Sequence, residues 1–158
     1  MSTKFESLAD ASRFALSPER QARLLDSQTD CTFCWTNSSG HPAAVTQAFV
    51  YRDGEFWMVS EASRARVRAV RRDPRSCVVV AAHGRSRTLS FKGHTAVIED
   101  RSVVLRVLRD IARRYDPEDE QAQEAHVTAA DSPGRVVLRF TPEKITNAFD
   151  GSLARTTT

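Results

Sequence analysis

The densest run of chemistry-bearing side chains in this sequence is Ser63-Arg64-Ala65-Arg66-Val67-Arg68-Ala69-Val70-Arg71-Arg72-Asp73-Pro74-Arg75, with six arginines against one acid. Lysine occurs only at Lys4, Lys92 and Lys144, so arginine is the general cation here and its local density is the informative part. A guanidinium offers a planar fork of donors that meets a phosphate with two hydrogen bonds at once. Ala62, Ala65 and Ala69 share one helical face, with the arginines spread over the rest. Residues 62–72 therefore read as a short helix, stopped by Pro74, which disfavours helix at the residue before it. The run follows a strand-like segment directly. A helix entered from a strand directs its free amides and the positive end of its dipole at whatever lies ahead of it. Arg64 and Arg66 add charge at that end, which makes a phosphate site. With nothing bound, the same residues are a solvated basic face, and spacing alone leaves both readings open.

Other candidate groups point elsewhere. Cys31-Thr32-Phe33-Cys34 has the spacing of redox motifs and zinc knuckles, yet it lies in a strand pattern, where residues three apart face opposite ways. No second pair completes four ligands, so neither a metal nor a redox role is expected. His41, His83, His94 and His126 show no ligand spacing, and Asp116-Pro117-Glu118-Asp119-Glu120 reads as a solvated acidic segment. The sequence holds no Gly-x-Ser-x-Gly elbow, no phosphate-binding glycine loop and no His-Glu-x-x-His. Phe49, Trp57 and Phe149 are candidates for shaping a pocket or, more simply, for packing.

The elements that position these residues are mostly strands. Leu8, Ala11, Phe14 and Ala15 have helical spacing, and Ser17 before Pro18 reads as a cap that opens a helix through Leu25. Strands follow at residues 31–36, 43–51 and 55–60, joined by the turns Asn37-Ser38-Ser39-Gly40 and Arg52-Asp53-Gly54. After the arginine helix come strands at 76–82 and 88–99. Asp100 then caps an amphipathic helix with Val104, Leu108, Ile111 and Tyr115 on one face. An acidic helix or loop over 116–124 leads to a last strand over 135–140. Six strands with turn connections and short helices predict an antiparallel barrel rather than a parallel doubly wound sheet.

Size and composition fit that frame. The 158 residues suit one domain, 1–158, with a helical segment at 1–26 and a polar tail at 152–158; 41% are hydrophobic and 27% charged. No apolar run spans a bilayer and no basic start leads into an apolar stretch, so neither membrane nor secretory signal is expected. Three cysteines suit a reducing compartment, and a cytoplasmic location is expected. A net charge of +3 does not imply nucleic acid, and the basic cluster lacks aromatic partners for base stacking.

Several of these segments also match a known pattern. Residues 59–75 followed by a β-branched run, Asn37-Ser38-Ser39-Gly40-His41-Pro42, Phe91-Lys92-Gly93-His94-Thr95-Ala96-Val97 and Arg139-Phe140-Thr141-Pro142-Glu143-Lys144-Ile145 occur in that family's order. The chain resembles the pyridoxamine 5'-phosphate oxidase-like split β-barrels, and its Arg-Arg-Asp-Pro-Arg segment looks closest to their deazaflavin-dependent branch. The resemblance implies a split antiparallel β-barrel of the FMN-binding type. It implies a cofactor, F420 or FMN, bound between two copies of the chain, and hydride transfer to a small organic substrate. By position, Ser60 would lie near the cofactor ring or its ribityl chain, and Arg64 and Arg66 at its phosphate. Backbone groups around Val45, Thr46 and Gln47 would line the ring. Arg66 stands where the family usually has lysine, and Ala69 where asparagine is common, which removes one polar contact. Some relatives bind or degrade haem, which draws attention to His94, and a cofactor-binding module without catalysis is the third reading.

Overall fold

The computed structural model describes residues 3–5, 9–82 and 87–157. In chain order the elements are β1 (Thr3–Phe5), a 3₁₀ turn (Ala11–Phe14), α1 (Pro18–Ser27), β2 (Asp30–Thr36), β3 (Pro42–Ala48), β4 (Val50–Arg52) and β5 (Glu55–Glu61). They continue with α2 (Ala65–Arg72), β6 (Arg75–Ala81), β7 (Arg87–Ile98), α3 (Arg101–Tyr115), α4 (Glu120–Ala130), β8 (Arg135–Asp150), a second 3₁₀ turn (Gly151–Ala154) and β9 (Arg155–Thr157). Seven strands form one antiparallel sheet in the order β3-β2-β6-β7-β8-β5-β4. The sheet's two outer strands, β3 and β4, are consecutive in the chain, so it curls until its ends meet at Phe49 and leaves a split beside β3. This is the split antiparallel barrel that the resemblance implies.

Local chemistry accounts for the boundaries. Ser17 accepts from the Arg20 amide with Pro18 in the first turn of α1, and Asp100 accepts from the Ser102 and Val103 amides to start α3. Asp53 and Gly54 both take positive φ, 53° and 80°, the conformation that a tight β4–β5 hairpin requires. The alternation along β5, with Phe56, Met58 and Ser60 buried between partly exposed neighbours, sends one face into the barrel. There Phe56 meets the rings of Phe49, Tyr51, Phe91 and Phe140 at centroid distances of 4.8–5.8 Å. Each such pair contributes about 0.5–1.5 kcal/mol beyond the area it buries. A second cluster, Val104, Val107, Leu108, Ile111 and Val127 with Val137, seats α3 and α4 outside the barrel. Among the described residues no helix is long and apolar enough to cross a membrane.

Several expectations need correction. The strand read as 43–51 breaks at Phe49, which is buried and donates its N–H to the Thr29 carbonyl at 3.1 Å. The arginine helix begins at Ala65, because the Arg64 N–H closes a turn onto the Glu61 carbonyl (3.0 Å). Of the two forms expected for the acidic segment, its second half takes the helical one as the start of α4, which Asp119 caps from its side chain and which runs on to Ala130. The last strand runs to Asp150, ten residues past Phe140, with register shifts against β7 between Ser90 and Phe91 and between Lys92 and Gly93. The terminal segments are not simply a helix and a tail, since β1 pairs antiparallel with β9. Leu8, His83 and the turn after it lie outside the described residues.

Candidate functional site

The site is built where β5 hands over to α2. Val67, Ala69 and Val70 bury one face of α2, which leaves Arg64 exposed and Arg66 half-buried at the entrance. Arg64 occupies the N-cap in an extended conformation with no side-chain cap. The amides of Ala65 and Arg66, first and second in the helix, have no acceptor within it. Arg66 is more unusual. Its Nε is buried and has no hydrogen-bond partner, and its pKa is lowered by burial first, then by the charges of Arg64 and Arg135. A guanidinium held among like charges with a buried donor unsatisfied costs free energy that a bound anion would recover.

Arg135 supplies the third guanidinium, and sequence reasoning missed it. It opens β8 directly across the ladder from Glu61, the last residue of β5. Its Nη2 lies 3.4 Å from Glu61 Oε1, the same oxygen that accepts from the Ser132 hydroxyl. Gly134 makes this possible, since a Cβ there would lie 2.7 Å from Glu61 Oε2. The Arg135 Nε is also buried without a partner. Nothing local in the sequence marks Arg135; only the β5–β8 register brings it to α2.

The ring-side candidates lie on β3 and β5. Ser60 is fully buried on the inner face of β5, and its hydroxyl reaches only the Glu61 carbonyl at 3.4 Å. Along β3, the Asn37 N–H donates to His41 O (2.9 Å) and the Phe49 N–H to Thr29 O (3.1 Å). In this register they make Trp35–Ala43, Phe33–Val45 and Cys31–Gln47 the hydrogen-bonded pairs. Ala44 and Thr46 therefore point their N–H and C=O away from β2, toward the unpaired edge at the split. The side chain of Val45 packs on the barrel core, whereas that of Thr46 is exposed on the opposite face. Gln47 has both amide atoms buried with no partner. Ala48 and Val59 both pack against the second core cluster, and Gln47 and Ser60 are their neighbours along β3 and β5. β3 thus offers an unpaired peptide edge and an unsatisfied carboxamide, and α2 a cationic, uncapped helix end.

The remaining candidates fall outside it. Phe49 is core, Phe149 packs edge-on against Phe14 (6.0 Å), and Trp57 lies under Arg52 at 4.5 Å and Arg139 at 5.8 Å. Ala69 is buried and lines a small hollow with Trp35, Asn37 and Ser38. His94 Nδ1 lies 2.5 Å from Glu143 Oε1 on the outer face of the sheet. Cys31 is buried against Met58 while Cys34 faces the other way. Among the described residues no three His, Cys, Asp or Glu side chains gather as metal ligands.

The family model described as pyridoxamine 5'-phosphate oxidase matches residues 17–149. The chain belongs to this family. The fold is shared with a conserved hypothetical protein of Mycobacterium tuberculosis at 21% identity, TM-score 0.76, over 90% of this chain and 89% of that one. It is also shared with an F420 reductase at 17% identity, TM-score 0.64, over 78% and 94%. The haem storage protein HutZ of Vibrio cholerae matches at 13% identity, TM-score 0.64, over 82% and 92%. At these identities the likeness establishes the fold alone. No curated protein sequence matches the chain.

Proposed function

We propose that this chain is an oxidoreductase that holds a phosphate-bearing cofactor, the deazaflavin F420 or FMN, and exchanges hydride with a small organic substrate. The observation that carries the proposal is the buried, unpartnered Nε of Arg66 among three guanidiniums at an uncapped helix end. Those residues fit a phosphate. Arg64, Arg66 and Arg135 would hold it together with the free amides of α2. The peptide groups of Thr46 and the Gln47 carboxamide would meet the polar edge of a ring at the split, with Val45 packed behind and Ser60 beside it. When bound, such a cofactor supplies the hydride chemistry that no side-chain constellation here provides. The chain's own contribution is to fix position and to set charge. The open edge of β3 also needs cover, and we propose that a second copy of the chain supplies it, in a cytoplasmic homodimer with the cofactor between subunits.

The test is titration followed by absorbance and fluorescence, with F420, FMN, riboflavin and haemin offered separately. Saturable binding of F420 or FMN, with riboflavin much weaker for want of a phosphate, is the expected result. Equal binding of riboflavin and FMN would remove the phosphate site. Haemin binding alone would move the chain to the haem-binding reading.

A further inference from the structure

The Cys-x-x-Cys spacing conceals a different pair. Cys31 and Cys34 face opposite ways, but β2 runs antiparallel to β6 with Cys34 directly opposite Cys77. Directly opposed residues share a face, and this one is the outer face of the sheet, away from the barrel core. Cys34 is half-buried there and Cys77 exposed, and neither is bonded to another cysteine. The Thr95 N–H bonds to Pro74 O (2.8 Å) and the Ala82 N–H to Arg87 O (3.0 Å). In the β6–β7 register this pairing leaves Cys77 bonded toward β2, so Cys34 and Cys77 form a hydrogen-bonded pair. Such pairs hold their Cα atoms about 5.5 Å apart, inside the range of roughly 4.4–6.8 Å that a disulfide spans. Their Cβ atoms lie toward the wide end of the range of about 4.5–5.5 Å, as in other hydrogen-bonded pairs, beyond the usual disulfide separation of roughly 3.5–4.5 Å. A bond there pulls the strands together, which makes it easily reduced rather than a permanent staple.

The surroundings suit an anionic partner. Cys34 and Cys77 open onto a hollow of about 480 Å³ shared with Arg75, Lys92, His94 and one carboxylate, Glu143, which is paired with His94. Lys92 lies directly opposite Cys77 on its other side, and Lys144 lies opposite Lys92. We propose that Cys34 and Cys77 are a reversible thiol–disulfide site on the outer sheet face, oxidised by a small anionic disulfide of the glutathione class. The Cys77 thiolate, the accessible one, attacks a sulfur of that disulfide. One thiol leaves with the proton Cys77 gives up, and a mixed disulfide remains. Cys34 then attacks the Cys77 sulfur, losing its own proton and expelling the second thiol. Two cysteine thiols are oxidised by two electrons, and one external disulfide is reduced to two thiols. Burial, and then the neighbouring Cys77, raise the pKa of Cys34, which suits the resolving rather than the attacking role. The site stands apart from the α2 entrance and does not depend on a cofactor there.

The test uses the whole protein in glutathione mixtures of increasing oxidised fraction, followed by intact-mass measurement and peptide mapping. The expected product is two hydrogens lighter, with Cys34 linked to Cys77, Cys31 free, and full reversal by excess reduced glutathione. Cys34→Ser should stop at one glutathione on Cys77, and Cys77→Ser should leave Cys34 unmodified. A Cys31–Cys34 link, glutathione on Cys34 in the Cys77→Ser chain, or two free thiols throughout would each overturn the proposal.

Discussion

The guanidinium of Arg66 at the start of α2 stands in the field of Arg135 at the start of β8, two like charges brought together by the β5–β8 ladder. Partial burial of Arg66 sharpens the conflict, because a desolvated charge is screened less. Each arginine also keeps a buried Nε without a partner. Glu61 pairs with Arg135 (3.4 Å), and a bound anion would complete the arrangement on the Arg66 side.

Arg66→Ala should therefore weaken binding of a phosphate-bearing cofactor by about tenfold to a hundredfold, since a hydrogen bond to a charged group contributes about 1.5–3 kcal/mol. Arg135→Ala should fall in the same range. Arg71→Ala should change little, because Arg71 is exposed at the far end of α2 and already paired with Glu99. The measurement is cofactor titration of the three variants. Equal small losses in all three would mean that the cluster is a solvated basic face.

How much of this site was legible follows from what kind of contact makes it. Arg64, Arg66 and the uncapped helix end belong to one local segment, so spacing and the Pro74 stop were enough to find them. Ser17, Asp53-Gly54 and Asp100 were equally readable, because capping and turn chemistry act within a few residues. Arg135 and Glu61 meet only through a long-range ladder, and the unpaired edge at Thr46 depends on which strand β3 lacks as a neighbour. The Cys34–Cys77 pair is of the same kind. Periodicity separated Cys34 from Cys31 correctly, but nothing in the sequence names β6 as the strand beside β2. The length of β8 was hidden for another reason: the strand continues past Phe140 only through register shifts against β7, which are a property of the ladder and not of the local sequence.

The two crowded glycines separate fold from site. A Cβ at Gly93 would lie 2.1 Å from the Thr141 carbonyl oxygen, a backbone atom that cannot move without disturbing the β7–β8 ladder. Gly93→Ala should lower stability by about 1–3 kcal/mol or more, as overpacking does, visible as a drop in Tm. At Gly134 the obstacle is the end of the flexible Glu61 side chain. Gly134→Ala should cost little in Tm but move Glu61 away from Arg135, changing cofactor affinity. A Tm loss at Gly134 as large as at Gly93 would contradict this division.

Asp150 gives the fold a pH dependence whose sign is fixed. Burial by itself raises its pKa, but the bonds from the Ser152 hydroxyl and amide and from Arg20 (2.6 Å) outweigh it, leaving the pKa lowered. A carboxyl with a depressed folded pKa contributes stability fully present above its unfolded value, near 3.9, and loses it as the pH falls through the folded value. Arg20→Met should therefore destabilise the protein at neutral pH. The difference from the parent chain should shrink as Asp150 becomes protonated in acid. Urea denaturation of both chains at neutral pH and near pH 3 reads it directly, and a gap that widens in acid would count against the assignment.

The last expectation distinguishes the two cofactors. FMN ends at its phosphate, whereas F420 carries an acidic oligoglutamate tail beyond it, which needs positive charge outside the site's mouth. Arg64 and Arg68 are exposed on α2, while Arg66 and Arg135 are partly withdrawn from water. Exposed charges are screened by salt over a Debye length of about 10 Å at 0.1 M, and half-buried ones much less. The phosphate grip should serve either cofactor with a shallow salt dependence, and the tail should add an affinity that salt removes. Competitive titration at two ionic strengths should show F420 binding more tightly than FMN, with a steeper loss as salt rises. Arg68→Ala should flatten the F420 slope and leave that of FMN unchanged. Tighter FMN binding with equal slopes would assign the site to the flavin and leave the barrel and its phosphate site as described.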